Sequence, residues 1–302
     1  MILYCIIIVI IVLKFISNKI SETLLNSTYA FRLNAFSHNY LFYNRVPHFY
    51  FINLSRSKTR LNKLTDSFRK YNHTNYKRIN AIDGKDSNIL YKTLKSRPIN
   101  CLQNDLELAC LSSHLSAILQ AYNDGLEEVF ICEDDLIIDY FFKNVDKFYK
   151  LFMNKPMDAE IIQLLCLNNI IYDKIFIKNL KNKKNKKKNK KNNFKTWNRL
   201  HWGCQIYYIN RSGMKKIIDK YFPDFKNSSN MITLPENYNE DLHEFYTADY
   251  LVYNSCKTYT MQFPFFNFTN IQSNINQDTV EEFQTPSHKK ILEIQEKFNP
   301  IE

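Results

Sequence analysis

Glycine is scarce in this chain of 302 residues, with only Gly84, Gly125, Gly203 and Gly213 present. None of them lie close together, so the sequence has neither a P-loop nor a G-x-G-x-x-G dinucleotide fingerprint. A nucleotide bound by this protein is therefore held without a glycine-rich phosphate cradle. Paired cysteines are also missing, because none of the seven cysteines forms a C-x-x-C pair. That absence argues against a zinc site.

Acidic residues are absent from one long basic segment. Residues 181–191 read KNKKNKKKNKK, with eight lysines. Without those eight lysines the chain has 33 basic residues against 30 acidic ones, so the segment supplies most of the net charge of +11. Its composition predicts a disordered, self-repelling loop insertion over residues 180–195. Polyanion binding is the alternative, but no aromatic residue interleaves with the lysines for base stacking, and no specific nucleic-acid partner is expected.

The first 16 residues are almost wholly apolar, and Lys14 is the only charged residue among them. The 13 unbroken apolar residues fit a signal-peptide core in length, yet no basic residue precedes them and no small-residue cleavage site follows. Snorkelling of Lys14 lets Phe15 and Ile16 extend the span. We predict a single-pass membrane signal anchor over residues 1–18 and a linker over 19–46. The membrane, of ER–Golgi type or another, and the side facing the domain are left open, although Lys14 and Lys19 favour a cytosolic C-terminal side.

From residue 47 onward, short β-favouring runs alternate with helical periodicities. Strands are predicted over residues 48–54, 76–82, 128–132, 161–167 and 204–209, and helices over 58–71, 105–122, 141–152 and 212–221. Ser113 and His114 are expected on the more solvent-exposed side of the second helix. This alternation predicts an α/β fold, an αβα sandwich with a mostly parallel sheet. It occupies one domain over residues 47–275, and a polar tail or helix follows over 276–302.

Three consecutive carboxylates follow the apolar run at residues 129–132, and a second apolar run comes after them. They are Glu133, Asp134 and Asp135. Adjacent like charges repel, so a fold gains nothing by placing them together at the end of a buried strand. A divalent cation offsets that cost, because carboxylate oxygens suit Mg²⁺ or Mn²⁺. The alternative is a solvated acidic turn. Ligands of α/β sheets bind beyond the carboxyl ends of the strands, which favours the cation site.

Six segments, in order along the chain, resemble the motifs of glycosyltransferase family 25, which includes lipooligosaccharide and procollagen galactosyltransferases. They are FINLSR at 51–56 followed by Arg60, AIDG at 81–84, ELACLSSH at 107–114, FICEDDL at 130–136, WGCQIYYI at 202–209 with SG at 212–213, and TADYL at 247–251. Ala109 stands where the family usually has glycine, a change that a helix tolerates. The resemblance covers roughly residues 48–275, interrupted by the lysine insertion and a loop near 222–240.

The resemblance implies a GT-A-like, Rossmann-like fold, a UDP-sugar donor and transfer with inversion. A divalent cation, Mn²⁺ or Mg²⁺, would neutralise the departing diphosphate. Glu133 and Asp135 are the expected metal ligands, with Asp135 also assigned to catalysis, and Asp134 is a ligand or a sugar contact. Asp249 is the expected general base, or a further metal or sugar contact; without the resemblance, an exposed acid at a helix start is an equal alternative.

Weaker candidates for the base are Asp241 and Glu244. On the donor side, Asn53, Arg56 and Arg60 follow the first strand, where an arginine pairs with a phosphate or is an ordinary surface charge.

Asp83 contacts a ribose hydroxyl or only builds its turn. His114 lines the donor site or is structural.

The expected function is therefore a membrane-tethered, metal-dependent inverting glycosyltransferase. It would move a hexose, galactose or glucose, from a UDP-sugar to a hydroxyl of a glycan or protein acceptor. A hypothesis from another class is a catalytically inactive transferase-fold protein whose lysine-rich loop binds polyanions. The complete triplet of Glu133, Asp134 and Asp135 favours the enzyme.

Overall fold

The computed structural model describes residues 46–98, 101–184, 193–225, 230–236, 246–269 and 285–298. The strands are β1 His48–Asn53, β2 Tyr76–Asn80, β3 Glu128–Glu133, β4 Leu136–Ile137, β5 Ile161–Gln163, β6 Phe194–Thr196, β7 Ile206–Asn210, β8 Thr258–Met261 and β9 Asn267–Phe268. The helices are α1 Lys58–Lys70, α2 Ser87–Thr93, α3 Asp105–Asn123, α4 Asp139–Lys143, α5 Val145–Phe152, α6 Asn169–Lys184, α7 Arg211–Tyr221, α8 Ala248–Asn254 and α9 Thr285–Lys297.

Seven of these strands form one sheet in the order β2-β1-β3-β7-β5-β8-β6. β1 pairs in parallel with both β2 and β3, while β7 lies antiparallel between β3 and β5. β8 is parallel to β5, and β6 is antiparallel to β8. Five strands therefore run in one direction, and β6 and β7 run in the other. The prediction of an α/β fold with a mostly parallel sheet is confirmed.

The two faces of the sheet bury different side chains, because successive residues of a strand point to opposite sides. On one face Tyr50 and Ile52 belong to a core cluster that also contains residues of α3, α7 and α8. On the other face Phe49 packs against Phe68 of α1 and Phe141 of α4, with ring centroids 5.1 and 6.0 Å apart. Helices cover both faces, so the predicted αβα sandwich, a Rossmann-like arrangement, is confirmed.

Helix α3 lies against the sheet and is buried over most of its length. It begins with a capping box, in which the Asn104 side chain accepts from the backbone of Glu107 and the Glu107 side chain accepts from that of Asn104. It ends before Gly125, whose φ of 77° few other residues adopt. Ser113 and His114 are only 2% and 1% exposed, so the prediction that they lie on the solvent side is wrong. Neighbouring helices α2, α7 and α8 cover α3 on several sides.

Three other local predictions need correction. The predicted helix over 141–152 is two helices, α4 and α5, separated at Asn144 with φ −128° and ψ 27°. Of the strand predicted over 161–167, only Ile161–Gln163 pairs as a β-strand, although residues 164–167 are also buried. The lysine-rich loop predicted over 180–195 is wrong at both ends, because α6 extends to Lys184 and β6 begins at Phe194.

Glu160, immediately before β5, connects three parts of the fold through its carboxylate. Its oxygens accept from Ser212 Oγ at 2.9 Å, Lys216 Nζ at 2.8 Å and the backbone N–H of Lys257 at 3.0 Å. Burial acts to raise its pKa, but these donors outweigh burial and hold the pKa of Glu160 below its ordinary value. The folded protein therefore stabilises the charged carboxylate form of Glu160.

The predicted anchor over 1–18 lies outside the described residues, as does all but the last residue of the predicted linker. In the part of the chain that the structure describes, no helix has both the length and the apolar character to span a membrane. The predicted C-terminal tail over 276–302 is described only at residues 285–298, where α9 is helical. The predicted domain boundaries stay predictions.

Candidate active site

A cleft of about 350 Å³ opens beyond the carboxyl ends of β1, β2 and β3. Its walls come from the loops after these strands, from the N-terminal half of α3, and from the segments before β7 and around the start of α8. The predicted site residues that line it are Arg56, Arg60, Asp83, His114, Glu133, Asp134, Asp135 and Asp249. The fold thus brings together residues that are as far apart as 193 positions in sequence.

Asp134 is paired on both carboxylate oxygens. Its Oδ2 accepts from Asn53 Nδ2 at 2.6 Å, and its Oδ1 accepts from Arg60 Nη1 at 3.0 Å. Asn53 also accepts from Arg78 Nε at 2.9 Å, and at 1% exposure it lies beneath the wall of the cleft. Burial raises the pKa of Asp134, while Asn53 and Arg60 act against that rise. Both oxygens of Asp134 are therefore engaged by side chains of the protein, and Asn53 helps to fix the position of this carboxylate.

Asp135 has the opposite environment. Its side-chain Oδ1 is buried and has no hydrogen-bond partner among the described residues. Burial and the neighbouring Glu133 charge raise the pKa of Asp135 to about 8, against the opposing effect of Arg60. Its backbone carbonyl accepts from the N–H of Thr269 at 2.8 Å, which fixes this residue beside the β4–β9 pair. A buried carboxylate oxygen without a donor suits a cation.

Glu133 belongs to a group that we call the thiol cluster: Cys110, His114, Glu133 and Cys204. Cys110 and His114 lie one turn apart on α3, Glu133 ends β3, and Cys204 precedes β7. His114 Nε2 lies 3.6 Å from Glu133 Oε1 and 3.5 Å from Cys204 Sγ, and Cys204 donates to Glu133 Oε1 at 3.4 Å. The lack of a C-x-x-C pair therefore does not exclude a set of metal-ligating side chains here.

The members of the thiol cluster shift one another's pKa values. Burial acts to lower the pKa of His114, but hydrogen bonds to Cys110 and Glu133 raise it to about 9. The hydrogen bond from Cys204 lowers the pKa of Cys110 to about 7, against burial and with help from His114. Burial acts to raise the pKa of Glu133, and the hydrogen bond from His114 lowers it below its ordinary value. The cluster therefore favours an anionic carboxylate beside a cationic imidazole, and brings the pKa of the Cys110 thiol close to neutral pH.

Arg56 and Asp83 form an ion pair at the mouth of the cleft, where both are about one-third exposed. Asp83 also accepts from the backbone N–H of Lys85 at 3.1 Å, so it does build its turn. The next residue, Gly84, packs on the start of α3, and a Cβ placed on it would lie 2.5 Å from the carbonyl oxygen of Asp105. This glycine lets the turn approach the helix that carries Cys110 and His114.

Asp249 lies at the start of α8 on the wall of the cleft. Its Oδ2 accepts from the backbone N–H of Gly203 at 2.9 Å, and its Oδ1 accepts from the N–H of Tyr250 at 2.9 Å. Gly203 has φ 106°, which favours glycine at this point. Both oxygens of Asp249 thus have a fixed orientation, and each keeps lone pairs for another donor. The weaker candidates Asp241 and Glu244 lie outside the described residues.

The sequence interpretation missed two residues of the thiol cluster, Cys110 and Cys204. The spacing of Cys110 and His114, four residues apart within a predicted helix, was an available signal, because side chains at i and i+4 share a face. Cys204 offered no such signal, since its proximity to α3 depends on the pairing of β7 with β3.

The fold and site define an α/β protein of Rossmann-like architecture, with an acidic cleft bordered by arginines at the carboxyl ends of its strands, where such sheets bind their ligands. Comparison with known families is more specific. The model of glycosyltransferase family 25 (LPS biosynthesis protein) matches residues 46–233, which is more than half of the chain. The chain therefore belongs to glycosyltransferase family 25, and this membership supports glycosyl transfer as its chemistry. No curated protein matches the sequence.

The family match confirms the resemblance drawn from the sequence motifs. The matched range includes each of the predicted site residues except Asp249 and the two weaker candidates for the base. The roles of the individual residues stay predictions.

Proposed function

We propose that this protein is a metal-dependent, inverting glycosyltransferase that moves a hexose, galactose or glucose, from a UDP-sugar to a hydroxyl group of a glycan or protein acceptor. The observation that carries the proposal is the contrast between Asp134 and Asp135. Asp134 is paired with Asn53 and Arg60, whereas Asp135, which lines the same cleft, has a buried oxygen without a donor among the described residues. A carboxylate in that state favours a hard divalent cation.

Asp135 and Glu133 would hold the cation, Mn²⁺ or Mg²⁺. When bound, such a cation supplies Lewis-acid stabilisation for the negative charge of the departing diphosphate. Of the two residues Asp135 is the stronger candidate, since Glu133 Oε1 already faces His114 and Cys204. Asp134, with both oxygens engaged, would act by holding Arg60 in place rather than as a ligand.

The donor would be oriented by the residues at the mouth of the cleft. The Arg56 guanidinium has the planar, bidentate geometry that matches a phosphate, and its ion pair with Asp83 would open as the phosphate enters. Asp83 would then be available for a ribose hydroxyl. Asn53 contributes indirectly, because it holds Asp134 and so the position of Arg60.

Asp249 would serve as the general base that accepts the proton of the acceptor hydroxyl. Two backbone N–H groups orient its carboxylate toward the cleft. A fixed carboxylate that keeps free lone pairs suits proton abstraction, since the efficiency of a base depends first on geometry.

Donor turnover tests the proposal without knowledge of the acceptor. Purified protein would be incubated with UDP-galactose or UDP-glucose and Mn²⁺, and release of UDP would be measured. We expect the wild-type protein to hydrolyse the donor slowly, and EDTA or the substitution Asp135→Asn to abolish this hydrolysis. Asp249→Asn should reduce the rate at least about 100-fold, the lower end of the range for loss of a general base. Asp219→Asn is the matched control, because that carboxylate is exposed on α7 and pairs only with Lys215 among the described residues. Turnover that persists in Asp135→Asn would refute the assignment.

The alternative, an inactive transferase-fold protein that binds polyanions, stays a prediction, since most of its lysine run lies outside the described residues. The same holds for the membrane tether over residues 1–18. Of the two functional hypotheses, the paired and unpaired carboxylates of the cleft support the enzyme.

A further inference from the structure

The thiol cluster combines the side chains that bind thiophilic transition metals. Cys110, His114, Glu133 and Cys204 come from one helix, one strand end and one loop, and their ligand atoms all lie within 4.8 Å of one another. We propose that these four residues form a second cation site, which takes a thiophilic divalent ion of the Zn²⁺ type. The ligand class differs from that at Asp135, because thiolate and imidazole select Zn²⁺ whereas carboxylates suit Mg²⁺ and Mn²⁺.

The spacing of the ligand atoms fits tetrahedral coordination. Zinc binds sulfur at about 2.3 Å and nitrogen or oxygen at about 2.0–2.1 Å. A regular tetrahedron built on those lengths separates sulfur from nitrogen or oxygen by about 3.6 Å, and nitrogen from oxygen by about 3.4 Å. The structure has 3.5 Å from Cys204 Sγ to His114 Nε2, 3.4 Å from Cys204 Sγ to Glu133 Oε1, and 3.6 Å from His114 Nε2 to Glu133 Oε1. These three of the six edges agree to within about 0.2 Å, and Cys110 Sγ lies within 4.8 Å of the other three ligand atoms.

The other ring nitrogen of His114 has a partner that orients the imidazole. Its Nδ1 lies 3.3 Å from the hydroxyl of Tyr207, a fully buried residue on β7. Histidine ligands in metal sites are commonly held in this way by a hydrogen bond at the nitrogen that does not bind the metal. Tyr207 therefore holds Nε2 toward Cys204 and Glu133, as a ligand position requires.

A site with four protein ligands is closed, which is typical of structural zinc rather than of catalytic zinc. A cation here would join α3 to the end of β3 and to the segment before β7, which are three walls of the cleft. It would also fix Glu133 through Oε1, while the second carboxylate oxygen remains for the neighbouring site. This inference does not rest on the proposed function, because metal binding by the cluster requires neither donor nor acceptor.

Cobalt substitution tests the site directly. The full-length protein would be reduced, stripped of metal with a chelator, and titrated with Co²⁺ under anaerobic conditions. We expect one equivalent to produce a sulfur-to-cobalt charge-transfer band and the visible absorption of tetrahedral cobalt, and Zn²⁺ to abolish both. Mn²⁺ or Mg²⁺ in excess should not displace the cobalt. The readout is a spectrum, so a failure of the proposed glycosyl transfer would leave it unchanged.

Variants separate the cluster from other thiols. Cys204→Ser should weaken cobalt binding at least about tenfold, since mutation of a residue that only hydrogen-bonds to a metal ligand already causes a loss of that size. The charge-transfer band should weaken as well. Cys101→Ser is the matched control, because that thiol is partly buried and hydrogen-bonds Gln103 but is not one of the four clustered residues. His114→Gln is a second variant that keeps both thiols, should Cys204→Ser fail to fold.

Three results would overturn the proposal. One is the absence of a charge-transfer band in the wild-type titration. Another is a spectrum and an affinity in His114→Gln and Cys204→Ser equal to those of Cys101→Ser. The third is a Cys110–Cys204 disulfide, detected by peptide mapping, in protein that binds no cobalt after reduction. That result would assign the pair to redox chemistry.

Discussion

Arg60 pairs with a buried carboxylate of the cleft, and its removal should cost far more than the loss of a surface arginine. The Arg60 side chain is 16% exposed and pairs at 3.0 Å with Asp134, which is 8% exposed. Burial acts to lower the pKa of Arg60, but the charges of Asp135, Asp134 and Glu133 raise it. Substitution Arg60→Ala would leave these three carboxylates without that positive charge.

The expected magnitude follows from burial. Breaking a buried ion pair by removal of one partner costs about 3–5 kcal/mol, because an uncompensated charge remains. We expect about 3 kcal/mol, the lower end, since Arg60 is not fully buried. At about 2–4 °C per kcal/mol for a domain of this size, the melting temperature should fall by roughly 6–12 °C.

Arg69→Ala is the matched control on the same helix. Arg69 pairs with Asp66 at 2.7 Å, but the two side chains are 74% and 63% exposed. Exposed pairs contribute little, so this variant should lose less than about 0.5 kcal/mol. Urea unfolding followed by circular dichroism would compare the free energies of unfolding of the two variants.

A second measurement distinguishes lost charge from lost packing. Mn²⁺ should stabilise Arg60→Ala more than it stabilises the wild-type protein, since the cation replaces the missing positive charge. Equal free energies of unfolding for Arg60→Ala and Arg69→Ala would refute the account of the cleft. So would a loss in Arg60→Ala that Mn²⁺ does nothing to recover.

The remaining predictions concern the frame of the site. Glu160→Gln should lower the free energy of unfolding by about 1.5–3 kcal/mol at pH 7, the range for hydrogen bonds to a charged group. The pKa of Glu160 in the folded protein is below its ordinary value of 4.5. The contribution of Glu160 to the free energy of unfolding is therefore complete above pH 4.5 and is lost as the pH falls through the folded-state pKa. The Glu160→Gln variant should lack this pH dependence. Gly84→Ala should cost about 1–3 kcal/mol and weaken donor binding, because its Cβ would displace α3 at Asp105.

Each of these predictions has a matched comparison. Asp219→Asn should leave the acid transition unchanged, and an equal change in both variants would contradict the role of Glu160. Gly125→Ala meets nothing within 4 Å but sits at φ 77°, so it should reduce stability and leave donor binding unchanged. Donor binding that is equal in Gly84→Ala and Gly125→Ala would contradict the packing argument.

Strands β1 and β3 were predictable because the apolar composition of each local segment indicates that it is buried. β1 and β3 are runs of apolar and aromatic residues buried on both faces, and both lie within one residue of the predicted bounds. β6, at one edge of the sheet, and β8, between β5 and β6, are short and mix polar with apolar residues, so no run marks them. Helix α6 ends in the lysine-rich segment, whose composition indicates disorder more strongly than helix.

The site was predictable where its residues are adjacent in sequence and unpredictable where the fold assembles it. The triplet of Glu133, Asp134 and Asp135 could be recognised from charge alone. Its division of roles could not, since Asn53 pairs with Asp134 only through the parallel register that sets β1 beside β3. The burial of His114 depends on the helices that cover α3, and sequence periodicity shows one apolar stripe rather than how many sides are covered.

The central claim is that the cleft binds a UDP-sugar through a cation held at Asp135. Calorimetric titration of UDP into the purified protein tests it most directly, with Mn²⁺, with EDTA, and with the Asp135→Asn and Asp219→Asn variants. We expect UDP to bind saturably in the presence of Mn²⁺ to the wild type and to Asp219→Asn. EDTA or Asp135→Asn should weaken this binding at least about tenfold, or about 1.4 kcal/mol. Binding of equal strength under all four conditions, or no binding with Mn²⁺, would contradict it.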